Sequence, residues 1–129
     1  MFRLARVFVL AAAVAGPCLA LAGAAEPVKV SGEVASKLEK QRVNVDGRYL
    51  PPRTAWNGVA LLEYTVLPDG TTADIKGAEG SHGCCMDASI KALSKWTYNP
   101  YMVDGKPTAM RVTIQFKYSR EDSLQITYP

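Results

Sequence analysis

Gly58-Val59-Ala60-Leu61-Leu62-Glu63-Tyr64-Thr65-Val66-Leu67-Pro68-Asp69-Gly70 decides how the rest of this chain is read. Nine residues rich in Leu, Val, Tyr and Thr follow a glycine and run into Pro-Asp-Gly, the composition of a β-strand delivered into a tight turn. Ala60, Leu62, Tyr64 and Val66 form an unbroken apolar face and are the expected core face. Val59, Leu61, Glu63, Thr65 and Leu67 form a mixed face, as on a strand only partly covered on that side.

Working outward, Thr71 to Ala78 is expected to return as the second arm of a hairpin, with Ala73 and Ile75 inward and Thr72, Asp74 and Lys76 toward water. A glycine-rich loop, Gly77 to Gly83, carries the only histidine, His82. Met86, Ile90 and Leu93 then repeat at the spacing of one helical face, and Asp87 suits the positive end of a helix. Trp96 is expected to end that helix, and Pro100 prevents its continuation. Asp104-Gly105-Lys106-Pro107 is a second turn signal. Beyond it Met110, Val112, Ile114, Phe116 and Tyr118 alternate with Ala109, Arg111, Thr113, Gln115 and Lys117, the clearest period of two in the chain. The order strand, strand, helix, strand predicts an α+β domain: a three-stranded antiparallel sheet with one helix across its apolar face. Residues 119–129 form a tail with one further strand candidate, Leu124 to Tyr128.

The 129 residues allow one small domain, and the first segment does not belong to it. Arg3 and Arg6 precede an apolar run from Val7 to Ala25, and Ala22-Gly23-Ala24 fits the small-x-small pattern before a signal peptidase cut. Residues 1–24 are therefore expected to be a removed signal peptide, with a cut after Ala25 as the variant. A retained inner-membrane anchor over 7–25 is the competing reading, but the run is alanine-rich and interrupted by Gly16-Pro17. Losing Arg3 and Arg6 lowers the formal charge from +3 to +1. So nearly neutral a chain, with scattered lysines, gives no footprint for nucleic acid. Residues 25–47 read as a short amphipathic helix or a loose arm, with Val30, Val34 and Leu38 at helical spacing. Tyr49-Leu50-Pro51-Pro52 is expected to be extended.

With these elements placed, the chain resembles the C-terminal domain of the TonB family, over roughly residues 48–118. Pro52 to Ala55 matches a Pro-x-x-Ala lead-in. Gly58, Ala60, Leu62, Tyr64, Val66 and Asp69-Gly70 match the family's first strand and turn. Asp87 with Trp96, Tyr98 and Pro100 matches its helix and Trp-x-aromatic-x-Pro, and Gly105-Lys106-Pro107 its last turn. The resemblance implies a periplasmic module of a Gram-negative bacterium. It would bind a protein or extended peptide, such as an outer-membrane receptor segment, by adding that segment as a strand, as an accessory to TonB-dependent transport across the outer membrane. If the last strand pairs with the first, its free edge carries Arg111, Thr113, Gln115 and Lys117 as the partner-binding residues. The family's long proline-rich spacer has no counterpart here, since residues 25–46 reach at most ~75 Å when extended. The tail is also in a position to fold onto that edge.

His82-Gly83-Cys84-Cys85-Met86 is the one segment with chemical potential. Adjacent Cα atoms lie about 3.8 Å apart, below the usual disulfide range, so a Cys84–Cys85 bond would be readily reduced. Three readings stand: a vicinal disulfide, structural or redox-responsive; inert or intermolecularly paired cysteines; or a soft-metal site of His82, Cys84, Cys85 and Met86, the donor types Cu(I) favours. A thiol-redox or copper-handling protein is thus the alternative to the binding module. No resident cofactor is expected. A single histidine, without paired carboxylates or a phosphate-binding loop, argues against an enzyme.

Overall fold

The computed structural model describes residues 26–129, so the expectation of a signal peptide over 1–24 lies outside the described residues. β1 (Val28–Lys29), α1 (Gly32–Leu38) and β2 (Glu39–Gln41) lead into β3 (Asn57–Val66) and β4 (Thr72–Gly77). β5 (His82–Gly83), α2 (Met86–Leu93), β6 (Thr97–Tyr98), β7 (Tyr101–Val103) and β8 (Lys106–Thr108) follow. β9 (Met110–Ser119) and β10 (Ser123–Thr127) close the chain.

The hairpin, helix and last long strand stand over the expected residues, but the bulge in β4 reverses the facing expected at its start. Thr72, expected toward water, lies opposite Val66 with its Oγ1 donating to the Leu93 carbonyl, and Ala73, expected inward, lies opposite Thr65. β3 pairs antiparallel with β9 over ten residues without a slip, from Asn57↔Ser119 to Val66↔Met110. One face of this pair holds Ala60, Leu62, Tyr64 and Val66 against Met110, Val112, Ile114, Phe116 and Tyr118, all buried. A period-two sequence can bury one face only in one register, which is why this pairing is so regular. Both helices touch this sheet, α1 against β9 and α2 against β3 and β4. The domain is α+β, as expected.

The expected three strands are, however, six. The sheet runs β1-β9-β3-β4, with β5 also on β3 and β10 also on β9. The additions are short. β1 lies parallel to β9 at Val28↔Met110 and Lys29↔Arg111, and β10 lies antiparallel at Ser123↔Ser119 through Thr127↔Gln115. Two-residue pieces such as β1 and β5 have no period to read. They exist because a neighbouring long strand offers unpaired amides.

Helix α2 seats Ala88, Ser89, Ala92 and Leu93 in the interior, with Met86 and Ile90 half-buried. The stripe expected from Met86, Ile90 and Leu93 is rotated because small side chains let the helix lie close to the sheet. The helix ends at Leu93 rather than at Trp96. Trp96 lies beyond it, 1% exposed, its Nε1 donating to the Val43 carbonyl at 2.9 Å and its ring 5.9 Å from that of Phe116. It joins the lead-in to the core. Burying so large an aromatic ring contributes on the order of 3 kcal/mol.

The lead-in forms helix rather than a loose arm. Ser31 caps α1 by accepting from the Val34 amide, Glu33 stands in the first turn and Ala35 is fully buried. Asp104 and Gly105 both adopt positive φ, 52° and 77°, in the two-residue turn of the β7–β8 hairpin. That conformation matches the twist of paired strands and suits Asp-Gly.

Candidate protein-binding edge and the cysteine pair

The edge expected on the last long strand is not an edge. β9 sits between β3 on one side and β1 and β10 on the other. Gln115 and Lys117 pair with Thr127 and Gln125, Arg111 pairs with Lys29, and Thr113 falls between the two covered stretches. Placing Arg111, Thr113, Gln115 and Lys117 on a free edge is therefore corrected. Their side chains lie on the sheet face opposite the core. There Arg111 Nη1 donates to Thr65 Oγ1 at 2.8 Å, and its Nη2 stands 3.7 Å from Glu63 Oε1. Glu63, Thr65 and Arg111 line an open cleft with Glu26, Asp74 and Lys76, where three carboxylates face two cations.

The open edge has moved one strand outward. The Val28 and Val30 amides donate to the Ala109 and Arg111 carbonyls, so the odd-numbered residues of β9 turn their polar groups toward β1 and β10. In the regular antiparallel register that follows, Ser123, Gln125 and Thr127 bond inward, and Leu124 and Ile126 point their N–H and C=O groups away. Among the described residues β10 pairs only with β9. The other border is less open. β4 carries a bulge opposite Tyr64, Asp74 has φ 51°, Thr72 Oγ1 is bonded to the Leu93 carbonyl and α2 packs nearby. Bulges and charged side chains are what keep such edges from pairing.

β10 is held in place from its core side. Leu124, Ile126 and Tyr128 pack against the core cluster. The Tyr128 hydroxyl donates to Glu39 Oε1 at 2.6 Å and lies 2.8 Å from the Tyr98 hydroxyl, which in turn bonds that of buried Tyr64. Burial first, then the neighbouring carboxylate and hydroxyls, hold Tyr128 far above the ordinary tyrosine range. It is a protonated donor throughout the physiological range. Burial pushes Glu39 up, but hydrogen bonds from Arg42 and Tyr128 outweigh it, so its carboxyl stays below the ordinary value. Arg42 makes two 2.9 Å bonds to Glu39 and lies 4.6 Å from the centre of the Trp96 ring. Gly32, at the start of α1, meets the same tail: a Cβ there would stand 2.6 Å from Tyr128 Cβ.

At the other end of the helix-bearing face, Cys84 and Cys85 are joined by a disulfide, with Cα atoms 3.7 Å apart. Their sulfurs are bonded to each other, so in this state they are not thiolate donors for Cu(I). His82 is exposed on β5, while Met86 lies against Gly77. Among the described residues no three His, Cys, Asp or Glu side chains form a metal-binding group. Cys84 and Cys85 are half-buried. Cys85 is the N-cap of α2, in the left-handed region at φ 82°.

The alternating period survives intact in the core, but it does not locate the edge, because pairing decides which strand lies outermost. Leu124 and Ile126 carry the only signal for that, their own short alternation with Tyr128.

A small open-edged sheet with its helices on one face is the framework of a binding module, with its polar backbone groups offered along one border. The family described as "Gram-negative bacterial TonB protein C-terminal" matches residues 52–119, and the chain belongs to it. No curated protein and no solved structure matches the chain. The match begins at Pro52 and stops at Ser119, so α1 and β10 lie outside the shared part. Among the described residues no helix is long and apolar enough to cross a membrane.

Proposed function

We propose that this chain is a TonB-like protein-binding module of the Gram-negative periplasm, and that it takes an extended segment of a partner protein as a further strand beside β10. The observation that carries this reading is the outward-facing backbone of Leu124 and Ile126 on a strand fixed to the core behind it. A strand added there gains main-chain hydrogen bonds from four fixed groups, with the ordering cost already met on the module's side. An outer-membrane receptor's extended periplasmic segment is the natural occupant, in an accessory role in TonB-dependent transport. No step of this reading needs catalysis, and the module acts without an enzymatic activity.

The test is a titration of the labelled chain with peptides copied from such receptor segments. The largest amide shifts are expected over Ser123–Thr127. Ile126→Pro removes an outward N–H and is expected to weaken binding at least tenfold while the Lys117 amide still reports a paired β10. Shifts confined to β4, or no shift with any extended peptide, would overturn the assignment.

A further inference from the structure

We propose that Cys84–Cys85 is a thiol–disulfide exchange site, whose reduction by a dithiol loosens the first turn of α2 and, through Ser89 and Tyr118, the end of the sheet where β10 pairs. This inference stands independently of what β10 binds.

Three observations carry it. The disulfide lies in a half-buried loop end rather than in the sealed interior, so a small reductant has access to it. Cys85 has a Cβ yet occupies the left-handed region at φ 82°, a conformation that side-chain-bearing residues avoid unless something holds them there. Here the ring closed by the disulfide ties Cys85 to Cys84, and Cys84 is itself pinned by its amide donating to the Asn57 carbonyl. The backbone is further pressed at Gly83, where a Cβ would collide with the Asn57 carbonyl.

The third observation is where the Cys85 carbonyl goes. It accepts from both the amide of Ser89, at 3.1 Å, and the Ser89 hydroxyl, at 2.8 Å. Ser89 is fully buried, and its hydroxyl also bonds that of Tyr118 at 2.7 Å. Tyr118 pairs with Gly58 on one side and with Leu124 of β10 on the other, and its ring packs edge-on against Trp56. A single carbonyl at the start of α2 thus anchors a buried chain from the cysteine loop to the last strand. Once the ring is open, Cys85 is no longer tied to Cys84 and the first turn of α2 is free to fray. Where Met86 leaves the helical conformation, the Cys85 carbonyl leaves Ser89 and a buried hydroxyl loses its acceptor.

The chemistry balances with a dithiol as the reductant. One thiolate of the dithiol attacks one protein sulfur, the Cys84–Cys85 bond breaks, and the released cysteine thiolate takes up a proton. The second thiol of the dithiol then displaces the other cysteine. The protein has gained two electrons and two protons, and the dithiol leaves as a disulfide.

The experiment equilibrates the folded full chain in dithiothreitol redox buffers. Free thiols are alkylated and read in the tryptic peptide spanning 77–91, which contains both cysteines and excludes Cys18. A reversible two-electron transition is expected while the chain stays folded. In the reduced state, amide exchange of Ser89, Tyr118 and Gln125 is expected to be at least tenfold faster, with the centre of β3 unchanged. Ser89→Ala cuts the chain without touching the sulfurs, so its exchange at Tyr118 and Gln125 is expected to be fast and insensitive to redox state. If the disulfide is reduced only on global unfolding, or is reduced with unchanged exchange at Tyr118 and Gln125, the proposal is overturned.

Discussion

Tyr128 donates a 2.6 Å hydrogen bond to Glu39, joining residues 89 positions apart in the chain. Through it the last strand is tied to the end of α1, and both to the aromatic interior, since Arg42 bonds Glu39 from the other side while stacked over Trp96. Neither α1 nor β10 belongs to the part of the chain matched by the family. β10, together with β1, covers the strand that would otherwise form the border of the sheet.

Tyr128→Phe keeps the ring and deletes the donor. A hydrogen bond to a charged acceptor is worth about 2 kcal/mol, and urea unfolding is expected to lose that much. β10 amides should exchange faster than those of β3. Unchanged stability together with unchanged exchange in β10 would mean that the tail is held by its apolar side chains alone.

Acid is expected to weaken the same junction. The Glu39 carboxyl is depressed below its ordinary value of 4.5, because the bonds from Arg42 and Tyr128 outweigh its burial. Its contribution is therefore fully present above that value and is lost as pH falls through the lower folded-state value. Stability measured downward from pH 6 should decline more steeply in the native chain than in Glu39→Gln. Parallel curves would show that the carboxylate is not coupled to folding.

Gly32→Ala tests how closely the two additions meet. An alanine Cβ at 2.6 Å from Tyr128 Cβ forces the tail or α1 to shift, and such overpacking costs about 1–3 kcal/mol. A lowered midpoint with faster exchange at Thr127 is expected, whereas Gly47→Ala, where the added carbon meets nothing within 4 Å, serves as the mild control.

Much of the scaffold is legible in the order of the residues. The alternations at Ala60–Val66 and Met110–Tyr118 define two strands and their buried faces, because a strand that buries one side must repeat every two residues. Asp69-Gly70 and Asp104-Gly105 mark turns, and the backbone takes positive φ at Gly70, Asp104 and Gly105. The cysteine pair is visible as a chemical oddity, though its state is not, since adjacent cysteines are compatible with a ring, with free thiols or with a metal.

Residue order alone yields the strand–strand–helix–strand core and the side of each strand that faces it, set by local periods and turn chemistry, together with the motifs by which the chain resembles its family. Which strand lies at the border is settled in three dimensions, because an edge is defined by what fails to pair with it. Val28–Lys29 and Ser123–Thr127 carry little signal of their own and take strand form against β9. Likewise, the acceptor of Tyr128 and the path from Cys85 through Ser89 to Tyr118 join residues far apart in sequence. No local pattern encodes such a contact; it forms when packing brings the groups together.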